Sequence, residues 1–271
     1  MIESRTDGCE VLRFERLAGV PGLAHGVFTR RGGVSAAPYD GLNASASTGD
    51  QPTSVHRNKA LIAAALGLPL VGARCVHAAR VIEVRPEGAD DAWRARLRFT
   101  EADAMLTDIP GFALFWSFGD CAPIVLYDPR HHAIALVHAG WRGTARAIAR
   151  QAVRAMGARY GTQPGDLLAG VGPAIGSCCY EVSAAVRDQF RATPEAWEAA
   201  AFAERANGDG APRLYLDVRE SNQRQLLAAG LAPEQVETSG FCTGCRTDLF
   251  YSHRMERGGT GRFGVGVGLA A

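Results

Sequence analysis

The stretch 116–143 constrains this chain more than any other. Two apolar runs, 124–127 and 133–137, flank a polar turn at 128–132, the pattern of two strands joined as a hairpin. A hairpin brings the entry of its first strand and the exit of its second to the same end. Cys121 stands before the first run and His138 after the second, so the two are expected to face each other although 17 positions separate them. Asp120 adjoins the cysteine, and Arg142 follows the histidine inside Gly140-Trp141-Arg142-Gly143. Acid, thiol, imidazole and guanidinium thus converge on one rim. Taken singly, each has an ordinary alternative: a buried cysteine is a small hydrophobe, and a histidine after an apolar run is often a satisfied core or edge residue. Their shared position at strand ends, where loops carry chemistry, favours function.

A chain of 271 residues can bury a large core. No repeat, linker or composition break divides it, so one domain over 1–271, mixing α and β, is the simplest reading. With 29 basic and 28 acidic residues the formal charge is +1, which gives no electrostatic case for nucleic acid or a membrane surface. No apolar stretch reaches the length of a membrane span. The opening Met1-Ile2-Glu3-Ser4-Arg5 lacks a signal peptide's apolar core. The seven cysteines are odd in number and not spaced as a disulfide framework. The expectation is a cytoplasmic chain with reduced thiols; the sequence carries no signal of oligomeric state.

Along the chain, strands are expected at 9–18, 25–29, 80–84, 100–107, Phe112–Phe118, 167–171 and Phe263–Leu269. Helices are expected at 52–68, capped by Thr53 or Ser54, and at 144–160, 183–191, 195–204 and 218–229. The segments 86–99 and 207–212 read as loop or short helix, and as loop. Arg30-Arg31-Gly32-Gly33 makes a tight basic turn suited to an anion. The glycine-rich bend at 172–181 lets backbone approach a ligand closely before a helix start.

His77 begins a strand and adds a third candidate ligand to Cys121 and His138. Two imidazoles and a thiolate with an open fourth position form the pattern of a catalytic zinc, and copper accepts the same donors. A metal-free alternative makes Cys121 a nucleophile with His138 as its base. Cys242-x-x-Cys245 has the more conspicuous spacing. It lacks two further ligands nearby in sequence and is expected to hold no metal.

The strings Gly119-Asp120-Cys121-Ala122-Pro123-Ile124, Val137-His138-Ala139-Gly140-Trp141-Arg142-Gly143-Thr144 and Gly172-Pro173-Ala174-Ile175-Gly176-Ser177-Cys178-Cys179-Tyr180-Glu181-Val182 resemble the YfiH family. So do His25-Gly26-Val27-Phe28-Thr29, Leu42-Asn43, Val76-His77, Cys242-Thr243, Ser252-His253-Arg254 and Thr260-Gly261-Arg262. That family was long labelled laccase-like polyphenol oxidase. It was later described as purine nucleoside phosphorylase with adenosine deaminase and methylthioadenosine phosphorylase activity. The resemblance implies a single-domain α/β layered sandwich with mixed sheets, related to toxin-deamidase-like cysteine hydrolases. It implies zinc, or copper under the older label, at His77, Cys121 and His138, with a nucleoside and phosphate as small-molecule partners.

In such a site Arg142, Lys59 and the Arg30-Arg31 turn are the candidate phosphate binders. Asn43, Ser252 and Arg254 are candidates for holding the nucleoside, and Asp120 beside Cys121 for carrying a proton. Two departures from the family pattern stand out. Cys75-Val76-His77-Ala78 replaces Gln-Val-His-Gly, and Asn58-Lys59 replaces Asn-Arg, which keeps the charge and loses the planar fork. Two other activities attach to the family. One is copper-dependent phenol oxidation, which seven histidines supply poorly. The other is editing of a peptidoglycan precursor by a hydrolase using Cys121 and His138.

Overall fold

The strands Ala122–Asp128 and Ala133–Ala139 pair antiparallel, with Pro123 opposite His138 and Tyr127 opposite Ile134. All seven residues of each are buried. Both faces are covered, so the runs are apolar throughout instead of alternating. Ala135 and Val137 pack against Ile148, Ala152 and Met156 of the helix Ile148–Tyr160. Ile134 and Leu136 face the opposite way, into a core with Trp116, Phe118 and Phe263. His138 shares their parity, and its ring stacks on Phe118 with centroids 4.5 Å apart.

The computed structural model describes residues 1–6, 8–86, 92–206 and 211–270. One sheet is ordered Val236–Thr238, Leu168–Val171, Ala122–Asp128, Ala133–Ala139, Ala104–Thr107, Val81–Glu83. A second is ordered Ile2–Thr6, Cys9–Arg13, Leu23–Gly32, Phe263–Leu269, Phe112–Phe118, Leu70–Val71. Each combines antiparallel and parallel pairs. The aromatic core lies between the two sheets. Helix Pro52–Leu66 covers the outer face of the second sheet, setting Ile62 and Leu66 against Val11, Phe28 and Phe115. Helices Ile148–Tyr160 and Val218–Ala228 cover the outer face of the first. The result is a layered α/β sandwich with mixed sheets.

A small third sheet, Glu181–Val182, Pro212–Leu216 and Phe202–Ala206, departs from the sequence expectation of a helix over 195–204. The helix Pro194–Glu198 ends early. Phe202 packs on Phe190 at 5.1 Å and starts a strand paired to 212–216, so tertiary pairing overrides the helix propensity of an alanine-rich run. The segment 9–18 splits into strand Cys9–Arg13 and helix Glu15–Ala18. The helix expected at 144–160 breaks at Ala147, whose φ is 55°, leaving Trp141–Thr144 and Ile148–Tyr160. Helix Pro52–Leu66 starts on Pro52 after Gln51 without a side-chain cap, so neither Thr53 nor Ser54 caps it. Of the segment 86–99, Ala92–Leu97 is helical. Residues 87–91, and 207–210 of the loop expected at 207–212, lie outside the described residues.

His25 shows how burial sets a protonation state here. Its Nε2 accepts the Phe14 N–H at 3.0 Å, and burial, reinforced by Arg13, lowers its pKa to about 4. The folded state therefore holds it neutral, while the unfolded chain takes up a proton near pH 6.5. Stability from this site is complete above pH 6.5 and is lost as pH falls to 4, by up to about 3 kcal/mol. Denaturant titrations across that range should show the loss. His25→Gln, which keeps an acceptor, should flatten the difference; an unchanged slope would show that His25 is not its source.

Candidate active site

An open cleft of about 1160 Å³ reaches His77, Cys121 and His138 at one end of the core between the sheets. Two elements build that end. The hairpin pairs Ala122 with Ala139, which sets Cys121 beside Gly140. A Cβ on Gly140 would lie 2.8 Å from the Cys121 Sγ and 3.5 Å from the His77 ring, so thiol and imidazole flank one point that only glycine leaves free. The second element is the loop carrying Cys75 and His77. The buried Asp103 shapes it: its carboxylate accepts N–H groups from Val76, Ala78 and Arg80 at 2.9–3.2 Å and contacts the Cys75 thiol at 3.4 Å. His77 is held in the left-handed region, φ 55°, a conformation a non-glycine residue adopts only when its surroundings dictate it. The Asp103 carbonyl also accepts the His138 N–H at 2.7 Å, so one residue ties both imidazole-bearing segments together. Its only sequence signal was an acid directly before an apolar strand.

The rings of His77 and His138 lie 5.2 Å apart, edge to face. Burial lowers the pKa of both, that of His138 to about 3. Neither ring nitrogen of His138 has a hydrogen-bond partner among the described residues, although both are buried. Unpartnered buried nitrogens with free lone pairs are costly unless something fills their coordination. The ligand atoms of Cys75, His77 and His138 all lie within 4.8 Å of one another. Cys121 does not join that group; the thiol that does is Cys75, where the family pattern has glutamine. Burial, helped by Asp120, pushes the Cys121 thiol up to about 12, and burial also raises Cys75. Both thiols are protonated unless a cation stabilises the thiolate.

Asp120 has a φ of 91° and a carboxylate fully engaged elsewhere. Its Oδ1 accepts the Thr243 and Ser252 hydroxyls, and its Oδ2 the Arg254 N–H, each at 2.7 Å. That arrangement orients the Asp120-Cys121 turn and leaves no geometry for a proton carrier. Ser252 is buried by the same contact. Asn43 is fully buried as well, bonded to Thr48, Asp50 and the Arg262 N–H. Arg254 stacks on Tyr180 and donates to the Glu181 carbonyl. Arg142 is exposed, stacks on Trp141 at 4.5 Å and lines a separate cleft beside Ser183 and Gln189. None of these five side chains is among those lining the main cleft.

Among the described residues five cations line it, Lys59, Arg74, Arg94, Arg98 and Arg262, and Arg74 is paired with Glu101. Burial, then Arg98, lowers the Lys59 pKa. The Arg262 guanidinium is fixed by the Thr260 and Gly261 carbonyls and by His253 at 3.0 Å. It lies over Gly119, where a Cβ would come within 2.6 Å of its side chain. The Arg30-Arg31 turn is neutralised instead by Asp40, Glu256, Glu10 and Asp248.

Fold and site together define a layered α/β protein whose cationic cleft holds an imidazole–thiol nest, with His138 buried, Cys75 half-buried and His77 exposed. Residues 24–270 match the family model described as multi-copper polyphenol oxidoreductase laccase, and the chain belongs to that family. Among its relatives, purine nucleoside phosphorylase YlmD of Geobacillus stearothermophilus is 37% identical over 254 residues, spanning 91% of this chain and 90% of that one. The enzyme of the same name from Bacillus subtilis is 35% identical, over 90% and 87%. The crystal structure of YlmD from Geobacillus stearothermophilus superposes with a TM-score of 0.87 at 33% identity, over 100% of this chain and 98% of that one. That of the Bacillus licheniformis hypothetical protein YfiH gives 0.84 at 33%, over 97% of each. No helix among the described residues is long and apolar enough to cross a membrane.

Proposed function

We propose that this chain is a purine nucleoside phosphorylase that also deaminates adenosine and cleaves methylthioadenosine, with its chemistry in the main cleft. The observation that carries this reading is one cleft combining the unpartnered buried imidazole of His138, the neighbouring imidazole of His77, two thiols and several cations, among them the fixed guanidinium of Arg262. The names of the relatives supply the substrate class.

In phosphorolysis the bond from ribose C1′ to the purine nitrogen breaks and a phosphate oxygen takes its place. Lys59 and Arg262 are placed to hold the anion, Arg262 as a pre-oriented fork. Phe115 and Trp116, from opposite faces of one strand, both line the cleft and can offer aromatic surface to a base. The donor set fits zinc: His138 with two free buried nitrogens, His77, and a thiol from Cys121 or Cys75. When bound, zinc supplies Lewis-acid polarisation for attack on the purine ring. Asp103 and Asp120 fix the ligand-bearing segments, and Gly140 keeps the approach between Cys121 and His77 open.

Two observations weigh against the other readings. Among the seven histidines only His77 and His138 come together; His25, His131 and His253 bond to Phe14, Asp128 and Arg262, too few donors for a multi-copper oxidase. A thiolate–imidazolium pair is disfavoured as well, since burial drives Cys121 up and His138 down. The test is release of free base from adenosine and inosine, with and without phosphate. Lys59→Ala should raise the half-saturating phosphate concentration roughly tenfold or more, the worth of one charged contact, and Arg142→Ala should leave it within about twofold. Equal effects of the two substitutions would move the anion away from the Lys59 wall.

A further inference from the structure

Four cysteines outside the main cleft come together from two distant segments. Cys178 and Cys179 lie in the glycine-rich bend at 172–181, and Cys242 and Cys245 lie 63 or more positions later. All four Sγ atoms lie within 4.8 Å of one another. The Cys245 Sγ is 3.3 Å from that of Cys178 and 3.5 Å from that of Cys179. Around a tetrahedral zinc with Zn–S bonds of about 2.3 Å, sulfur atoms are about 3.8 Å apart. The Cys245 distances fall a few tenths of an ångström short of that spacing and all four thiols lie within 4.8 Å of one another, and Cys245 is nearly equidistant from two partners instead of paired with one.

We propose that Cys178, Cys179, Cys242 and Cys245 form a tetrathiolate site for a structural zinc ion, separate from the His77–His138 nest. The expectation that Cys242-x-x-Cys245 holds no metal rested on the lack of two more ligands nearby in sequence; the bend at 176–179 supplies them in space. The surrounding backbone is arranged for thiolate. The Gly176 N–H donates to the Cys242 Sγ at 3.3 Å. Gly244 has no side chain where a Cβ would come within 3.0 Å of the Cys179 Sγ, so the close approach of the two segments requires glycine there. Two of the thiols, Cys178 and Cys245, are exposed, which gives an ion a path in. Four closed thiolate positions leave none open, which is the structural kind of zinc site.

The site also reaches the active centre. Thr243, between the last two cysteines, donates to the Asp120 carboxylate, and the Ile175 N–H, just before the bend, donates to the Asp120 carbonyl at 2.9 Å. A zinc ion joining the two segments clamps the residue next to Cys121 from both sides.

The experiment is zinc per chain, by elemental analysis of protein purified under reducing conditions and loaded with Zn²⁺ alone. Wild type should hold one equivalent more than Cys178→Ser/Cys245→Ser, whatever the occupancy of the first site. In the His138→Leu background, Co²⁺ should still give thiolate-to-metal charge-transfer absorption. In the wild type, Zn²⁺ should slow alkylation of Cys178 and Cys245, mapped by mass spectrometry, by roughly tenfold or more; this needs no cysteine variant to fold. Equal zinc in wild type and double variant, alkylation indifferent to Zn²⁺, or a Cys178–Cys245 disulfide in freshly purified reduced protein would each overturn the site. These readouts do not depend on phosphorolysis, so they stand or fall apart from the proposed activity.

Discussion

His138→Leu is expected to reduce phosphorolysis by roughly two orders of magnitude or more while making the metal-free protein more stable. The loss follows from removing the most buried donor of the nest and, with it, the polarisation the site applies to substrate. The gain follows from the same burial. Both ring nitrogens of His138 are enclosed without a partner among the described residues, the ring is pressed against Phe118, and burial lowers its pKa to about 3. A leucine of similar volume removes two unsatisfied polar atoms and keeps the packing, worth about 1–3 kcal/mol. Chelator-treated wild type and variant should be unfolded side by side, with metal content and base release measured on the same preparations. A variant that is less stable than wild type without metal would mean that His138 is satisfied in the apo protein. A variant that retains activity would remove His138 from the chemistry.

Asp120→Ala should be the most damaging single change to the fold of the site, costing about 3–5 kcal/mol. Three donors converge on this buried carboxylate, the hydroxyls of Thr243 and Ser252 and the Arg254 N–H, each at 2.7 Å. All three lose their acceptor together. The residue also sits at φ 91°, where aspartate and asparagine are tolerated better than alanine. For a chain of this size the cost corresponds to a fall in Tm of about 10 °C. Asp120→Asn should fall between the two, since it keeps one carbonyl for the hydroxyls but can turn its NH₂ toward the Arg254 N–H. If Asp120 acted mainly as a proton carrier, Asn would lose activity as fully as Ala while leaving Tm near wild type.

The hairpin and the pairing of its ends were legible because strand periodicity and turn length are local properties. Ile124, Val137 and the polar turn at 128–132 are enough to bring Cys121 and His138 to the same end of the hairpin, but the register sets Pro123, not Cys121, opposite His138. The mixture of α and β followed in the same way from apolar runs and amphipathic helices, whereas the layered arrangement was implied by the family resemblance alone. His77 was expected to begin a strand but lies in the loop before Val81–Glu83, and its left-handed conformation was not legible either, because Asp103 imposes it through three backbone bonds made 23–27 positions away. The phosphate side of the site moved for a related reason. Arg142 lies near His138 in sequence, yet its helical turn directs it onto Trp141, whereas Arg262 reaches the cleft over Gly119 from the far end of the chain.

The sequence by itself therefore determined the elements whose signals repeat every two or four residues, and the chemical types available at their ends. Tertiary structure alone decided what those types do. The last strand, Phe263–Leu269, becomes the centre of a sheet between strands 23–32 and 112–118. Helix-prone 202–204 becomes strand once Phe202 meets Phe190. Cys242-x-x-Cys245, incomplete as a motif, meets Cys178 and Cys179. Each of these depends on contacts between positions from twelve to more than two hundred residues apart, and such contacts leave no periodic trace in the chain.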